Sequence, residues 1–187
     1  FFLHAQAAIR DAQESRGLGD VYKRQMAQRL AMESSHIFAA VGCMSFYLLM
    51  TPVNTYSPIP IMEVHGFLDQ VVLYESSVLS VPTNPGAWTD PEAIQTGAIE
   101  NLYEWADLNS CTGLTPDYND QQPLYSVQGF SNCENNSQVR LVTIFGAQHN
   151  PYAKDYPGEG PGMLLPGTQG LVQSSYIVWD FLSQFSK

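Results

Sequence analysis

The sequence predicts an α/β fold with a mostly parallel sheet and flanking helices. Two short apolar segments, residues 59–64 and 139–145, read as buried strands, and each is followed closely by a glycine, Gly66 or Gly146. A third continuous apolar run, residues 37–44, is typical of a parallel strand covered on both faces. Amphipathic helical patterns lie between and after these runs, which is the alternation expected of α/β proteins.

The first 25 residues do not match the rest of the chain. They are rich in charge, lack a sustained apolar face and closely resemble translated sequencing-adapter text. We therefore expect residues 1–25 to be a non-native segment that packs little against the remainder, and a natural helix over residues 5–14 is the alternative. Residues 26–187 are the predicted domain.

Two helices are predicted around the strand at residues 37–44. Residues 26–33 form the first, and residues 90–109 form the second, with Asp90 at its N-cap and Pro91 at its first turn. Apolar residues at helical spacing are expected to turn the second helix toward the sheet. They are Ile94, Ala98, Leu102, Trp105 and Leu108.

The remaining elements follow in the second half of the chain. Residues 112–123 are predicted to be a polar loop and residues 124–130 a strand. Residues 173–185 are predicted to form a terminal amphipathic helix. Its inward residues should be Tyr176, Ile177, Phe181 and Phe185.

The charge of the chain is strongly acidic. The formal net charge is −10, from 18 acidic and 8 basic residues. Such a surface repels phosphate backbones and anionic lipids, so we expect neither nucleic acid nor membrane as a partner. The sequence has no apolar run long enough to cross a bilayer and no recognisable signal peptide at its start.

An acid and a histidine follow the two strongest strand predictions. Asp69 stands just after the first strand, and His149 just after the second. Open α/β sheets bind ligands at the carboxyl ends of their strands, so this chain order suggests two members of a hydrolytic triad. The alternatives are that Asp69 caps the turn after Gly66 and that His149 only packs its loop.

Several segments resemble one family in order along the chain. HGFLDQVVLY resembles the acid loop and FGAQHNPY the histidine loop of the α/β-hydrolase esterases that include polyhydroxybutyrate depolymerases and feruloyl esterases. MAQRLAMESSHIFAAVGCMS is similar to the helix and strand after the nucleophile of that family, and YEWADLNSC and WDFLSQF also match in order. The resemblance covers residues 26–187.

The resemblance implies a function and leaves one residue missing. It implies that Asp69 is the triad acid, that His149 is the general base and that His65 is structural. Family members place Gly-x-Ser-Asn-Gly-Gly directly before the first helix, and the expected position of the serine falls near Val21. None of the early serines has the flanking glycines that a nucleophile elbow needs. These serines are Ser15, Ser34, Ser35 and Ser45.

The expected protein is therefore a fragment of a secreted serine esterase that acts on small or polymeric esters of the polyhydroxyalkanoate or feruloyl type. Without its serine, this polypeptide should be inactive. The alternatives are a non-catalytic module that binds polysaccharide or polyester, and a serine peptidase of the same fold.

The remaining site candidates are two cysteines and a tryptophan. Cys111 and Cys133 flank a polar insertion and form a disulfide if the chain follows similar esterases, whereas reduced thiols are the alternative. Cys43 is expected to be buried. Trp88 lies in a loop over the predicted site and either stacks on a substrate ring or pins its own loop. No metal or cofactor is expected, because the sequence lacks His-x-x-x-His and Cys-x-x-Cys spacings.

Overall fold

The computed structural model describes residues 2–3, 19–48, 53–69, 72–75, 97–149 and 172–187. Trp88, Asp90, Pro91, Ile94 and the alternative helix at residues 5–14 lie outside these ranges. The helices and strands, in chain order, are β1 (Phe2–Leu3), α1 (Gly19–Glu33), β2 (Val41–Met44), β3 (Ile61–Gly66), α2 (Ala98–Leu108), β4 (Tyr118–Gln121), β5 (Tyr125–Phe130), β6 (Val139–Ile144) and α3 (Ser174–Leu182). A short 3₁₀ turn, Glu134–Asn136, precedes β6.

The strands form one mixed sheet of six strands in the order β1-β2-β3-β6-β5-β4. The three central strands β2, β3 and β6 run parallel to one another. The outer strands pair antiparallel with their neighbours. Because the central strands share a direction, the loops that follow β3 and β6 emerge at the same edge of the sheet.

Helices cover the central strands on both faces, which is the α/β arrangement that the sequence predicts. Helices α1 and α2 pack on one face, where Met32, Trp105 and Leu141 belong to one buried cluster. Helix α3 packs on the other face, where Val142 and Val178 belong to a second cluster. Residues along β3 alternate between the two clusters, with Ile61 in the first and Met62 and Val64 in the second. Burial on both faces explains why this strand reads as an apolar run.

A buried glutamine joins the elements of the first cluster. The amide nitrogen of Gln28 on α1 donates to the carbonyl oxygen of Phe46 at 2.5 Å, just beyond β2. Its amide oxygen accepts the indole N–H of Trp105 on α2 at 2.9 Å. Gln28 is fully buried, so these hydrogen bonds compensate the cost of removing its amide from water.

The N-terminal boundary expected at Met26 lies inside a continuous helix. Helix α1 begins at Gly19 and ends at Glu33, so its end agrees with the predicted helix while its start comes earlier. The backbone of β1 also pairs with β2, in the register Phe2 to Gly42 and Leu3 to Val41. That residues 1–25 are non-native remains a prediction.

Two predicted elements are shorter among the described residues. The strand expected over residues 37–44 begins at Val41, because the chain first makes a turn in which the N–H of Ile37 donates to the carbonyl oxygen of Ser34. Helix α2 begins at Ala98, after an extended Gly97, and the predicted start at Asp90 lies outside the described residues. Its expected inward residues Ala98, Leu102 and Trp105 are buried.

One prediction in the second half of the chain is wrong, and another is wrong at a single residue. The polar loop expected at residues 112–123 contains the strand β4, which pairs with β5 at the edge of the sheet. The guanidinium group of Arg140 lies 4.1 Å from the ring centroid of Tyr118 and so helps to attach this edge. In helix α3 and just after it, Phe181 is buried and Ile177 and Phe185 pack against the second cluster, as predicted. Tyr176 is instead 71% exposed, and Val178 and Leu182 lie on the buried face. Among the described helices, none has the length and hydropathy that crossing a membrane requires.

The predicted disulfide between Cys111 and Cys133 is present. It links the residue three positions after α2 to the segment between β5 and β6, across 22 positions of sequence. The Cα atoms lie 3.8 Å apart, which is closer than the roughly 4.4–6.8 Å usual for a disulfide. Cys43 is a buried free thiol, as expected.

Removing this disulfide should lower the stability of the chain. The double variant Cys111→Ser/Cys133→Ser is expected to lose about 3 kcal/mol of unfolding free energy, because the unfolded chain regains the entropy of an open loop. Urea denaturation with and without reductant measures the loss. Cys43→Ala is the control and should remain as sensitive to reductant as the parent. A double variant as stable as the oxidised parent would contradict the prediction.

Candidate active site

Strands β3 and β6 bring Asp69 and His149 to one edge of the sheet. The two strands are paired in parallel from Ile61 opposite Val139 to Gly66 opposite Ile144. After these strands, both segments turn away from the sheet. The two loops stay in contact because the N–H of Leu68 donates to the carbonyl oxygen of Ala147 at 2.9 Å. The loops that carry the acid and the histidine therefore form one unit.

The side chains of Asp69 and His149 are in direct contact. Oδ2 of Asp69 lies 2.9 Å from Nδ1 of His149, although the residues are 80 positions apart in sequence. The other carboxylate oxygen of Asp69 accepts the N–H of Val72 at 2.8 Å. Both residues are buried, with 4% and 6% of their surfaces exposed. A buried carboxylate that accepts a hydrogen bond from Nδ1–H fixes the orientation and tautomer of an imidazole. A histidine that acts as a general base requires both.

The surroundings of Asp69 favour its ionised form. Burial alone would raise the pKa of this carboxyl group. The hydrogen bond from His149, the charges of His65 and His149, and the N–H of Val72 outweigh burial and lower the pKa of Asp69 below its ordinary value. Asp69 is therefore ionised at neutral pH.

The lowered pKa of Asp69 predicts an acid-sensitive contribution to stability. The interactions of the ionised carboxylate stabilise the fold fully above the pKa of an unfolded Asp, about 4, and this contribution is lost as pH falls through the lower folded pKa. The variant Asp69→Asn lacks this titration. The stability difference between the two proteins should therefore shrink between about pH 5 and pH 2. Urea denaturation of both proteins across this range measures it, and a constant difference would contradict the prediction.

A second buried polar group lies directly behind Asp69. His65 has Nε2 at 2.7 Å from the carbonyl oxygen of Val72 and at 3.5 Å from Oδ2 of Asp69. Its Nδ1 lies 2.6 Å from Oε1 of Glu63, and the other oxygen of Glu63 accepts the side-chain amide of Asn101. The family resemblance implies a structural role for His65, and no motif points to Glu63 or Asn101. The sequence signal for Glu63 is a charged residue in the middle of an otherwise apolar strand.

Two of the four early serines, Ser35 and Ser45, are buried, and Ser34 is half-buried directly after α1. Ser45 follows β2 at the same edge of the sheet with a positive φ of 49°, but it is fully buried. Ser35 is 1% exposed, and its hydroxyl oxygen accepts the N–H of Ser57 at 3.0 Å. Ser15 lies outside the described residues. The structure thus assembles an acid and a histidine, and neither of these two buried serines offers an accessible hydroxyl.

In the described part of the chain, no three His, Cys, Asp or Glu side chains form a group that could hold a metal ion.

No protein-family model matches this chain. Among curated proteins, the chain is similar to feruloyl esterase B of Piromyces equi, with 31% identity over 129 residues. The matched region is 69% of this chain and 18% of the relative, so the chain spans less than a fifth of the length of the curated relative it matches. At the coarsest level, this similarity supports an esterase-like relationship.

Proposed function

We propose that residues 26–187 belong to a secreted serine carboxylic ester hydrolase of the α/β-hydrolase fold, in which Asp69 and His149 are the acid and base of a Ser-His-Asp triad. The observation that carries this proposal is the 2.9 Å contact between the buried Asp69 carboxylate and Nδ1 of His149. The contact lies at the carboxyl ends of two adjacent parallel strands. Ligands bind at this edge in open α/β sheets.

The roles of the two residues follow from this geometry. Because Nδ1 of His149 is engaged by Asp69, Nε2 is the atom that accepts the proton of an attacking serine hydroxyl and later donates it to the leaving alcohol. The Asp69 carboxylate keeps the imidazole in the tautomer with a proton on Nδ1 and stabilises the imidazolium that forms. A water molecule then attacks the acyl-enzyme through the same two proton transfers and releases the carboxylic acid product.

The nucleophile of this site comes, in our proposal, from sequence that precedes Met26 in the intact reading frame. The printed sequence contains no Gly-x-Ser-x-Gly. In α/β-hydrolases that motif joins a strand to the helix that follows it, and backbone N–H groups beside it hold the oxyanion. Helix α1 packs beside β2, which is consistent with such a position.

The proposed substrates are carboxylic esters of the feruloyl or polyhydroxyalkanoate type, and the proposed location is extracellular. The similarity to an esterase supports the proposed substrates. The Cys111–Cys133 disulfide supports the extracellular location, because disulfides persist mainly in oxidising compartments. The excess of acidic residues supports neutral ester substrates over nucleic acid or anionic membranes as partners.

The chain as printed should not turn over esters. We expect no hydrolysis of p-nitrophenyl or feruloyl esters above the buffer rate, because the sequence encodes no nucleophile elbow. Measured turnover that a serine-directed phosphonate abolishes would show that a serine of this chain is the nucleophile. In that case the Ser15→Ala, Ser34→Ala, Ser35→Ala and Ser45→Ala variants would identify it.

The decisive experiment is to recover and express the intact reading frame from source DNA. The proposal expects a Gly-x-Ser-x-Gly shortly before Met26 and phosphonate-sensitive hydrolysis of feruloyl or hydroxyalkanoate esters. Peptide p-nitroanilides and insoluble polysaccharide serve as comparison substrates. Hydrolysis of the peptides alone would replace the esterase with a peptidase, and binding without turnover would replace it with a binding module.

A further inference from the structure

Three polar side chains are buried together between α2 and β3, the strand that precedes Asp69. Glu63 and His65 lie two positions apart on β3 and point to the face covered by α2, from which the side chain of Asn101 reaches Glu63. Their exposed fractions are 4%, 0% and 1%. Burying ionisable groups is costly unless hydrogen bonds and charges compensate, so such a cluster needs an explanation beyond packing.

The hydrogen bonds of this cluster show that Glu63 and His65 share one proton. A carbonyl oxygen only accepts, so Nε2 of His65 must carry the proton that reaches Val72 at 2.7 Å. The amide of Asn101 is oriented because its oxygen accepts the N–H of Leu48 at 2.9 Å, which leaves its nitrogen to donate to Glu63. The 2.6 Å contact between Glu63 and Nδ1 of His65 then contains a single proton that belongs to the pair.

The same cluster determines where Asp69 lies. Val72 accepts a hydrogen bond from His65 through its carbonyl oxygen and donates its own N–H to Asp69 at 2.8 Å. Nε2 of His65 also lies 3.5 Å from Oδ2 of Asp69, the oxygen that contacts His149. A shift of His65 would therefore move the turn that holds the acid and the acid itself.

We propose that Glu63 and His65 are positioning residues for Asp69: Glu63 keeps His65 as an imidazolium, and this buried cation holds Asp69 ionised and directed toward His149. The catalytic consequence rests on the proposed esterase function. The positioning itself is a property of this chain and is measurable without any activity.

The charges around His65 favour the imidazolium. Burial would lower the pKa of His65, but the hydrogen bond and charge of Glu63, with a further contribution from Asp69, raise it above its ordinary value. Other titratable groups also face the pair. They are Tyr47, whose ring stacks on His65 at 5.7 Å, Tyr74, whose ring meets it edge-on at 6.1 Å, and Cys43, which is opposite Glu63 on β2. Burial raises the pKa of Tyr74 and of Cys43, so both are neutral at pH 7 and leave Glu63 and Asp69 to determine the charge of His65. Burial also raises the pKa of Glu63, although the hydrogen bond and charge of His65 oppose this shift. Because His65 lies between two carboxyl groups, with Nε2 at 3.5 Å from Oδ2 of Asp69, we assign the shared proton to His65.

The variant Glu63→Gln tests the charge while keeping the contacts. Its side-chain amide can donate to Nδ1 of a neutral His65, and its oxygen can still accept from Asn101. In the parent chain, nitrogen-15 NMR at neutral pH should show both ring nitrogens of His65 protonated. In Glu63→Gln only Nε2 should carry a proton, and the carboxyl titration of Asp69, followed by carbon-13 NMR, should move up by about one pH unit because the nearby cation is lost.

A matched control removes a carboxylate elsewhere. Glu33→Gln breaks the exposed pair with Arg29 on α1, at 2.9 Å, and should leave the titration of Asp69 unchanged. Glu63→Leu removes both charge and hydrogen bonds; if it does not fold, Glu63→Gln still decides. A singly protonated His65 in the parent, or an Asp69 titration equal in the parent and Glu63→Gln, would overturn the proposal. Failure of the esterase function would instead appear as absent turnover in the intact enzyme with these NMR results unaffected.

Discussion

Replacing His149 with alanine in the intact enzyme should lower kcat by about 10⁴-fold or more, because a serine hydroxyl has no other base to accept its proton. Asp69→Asn should cost about as much, since an amide lets the imidazole adopt the wrong tautomer. Steady-state hydrolysis of a feruloyl ester measures both losses. The double variant should be little worse than either single variant, because the two residues act as one unit.

His36→Ala is the matched control for the histidine. His36 is exposed and lies in the turn between α1 and β2, on a different part of the chain from the site. This variant should retain the activity of the parent. If His149→Ala kept substantial activity, or if His36→Ala lost as much as His149→Ala, the assignment of the general base would fail.

Gly66→Ala should disrupt the site through the backbone. A Cβ atom at Gly66 would lie 2.5 Å from the carbonyl oxygen of Ala147 and 2.7 Å from that of Gln148. Both atoms belong to the loop that carries His149, and backbone atoms cannot move aside as the tip of a side chain can. We expect a loss of about 2–3 kcal/mol of unfolding free energy, as for other overpacked sites, and separation of the two loops.

The effect of Gly66→Ala on the site can be separated from its effect on stability. The proton on Nδ1 of His149, seen by NMR through its hydrogen bond to Asp69, should be lost or strongly shifted in this variant. Gly113→Ala is the control, because Gly113 has a φ of +93° and no atom closer than 3.7 Å to an added Cβ. It should lose about 1–2 kcal/mol from backbone strain alone. If the signal of the His149 Nδ1 proton changed equally in Gly66→Ala and Gly113→Ala, the clash at Gly66 would not be the cause of the change.

Local sequence patterns predicted the strands that are buried on both faces of the sheet. Strands β3 and β6 are buried on both faces, are mostly apolar and end at or close to a glycine, so their positions could be read within a residue or two. Elements with weak local signals were misread. Strand β4 is polar and exposed, and only its pairing with β5 makes it a strand. In α3, apolar residues occur on several sides, so periodicity could not show that Tyr176 points to solvent.

By itself, the sequence determined the α/β class, the two strands that end at the site, and the identity of Asp69 and His149 as its candidates. It could do so because apolar runs, glycines and the polar residues after them are local features. Only the tertiary structure decided that β3 and β6 are neighbours, which places residues 80 positions apart at 2.9 Å. It also revealed that Glu63, His65 and Asn101 meet behind Asp69, since hydrogen bonds between a strand and a helix depend on how the two pack and leave no periodic pattern in either segment.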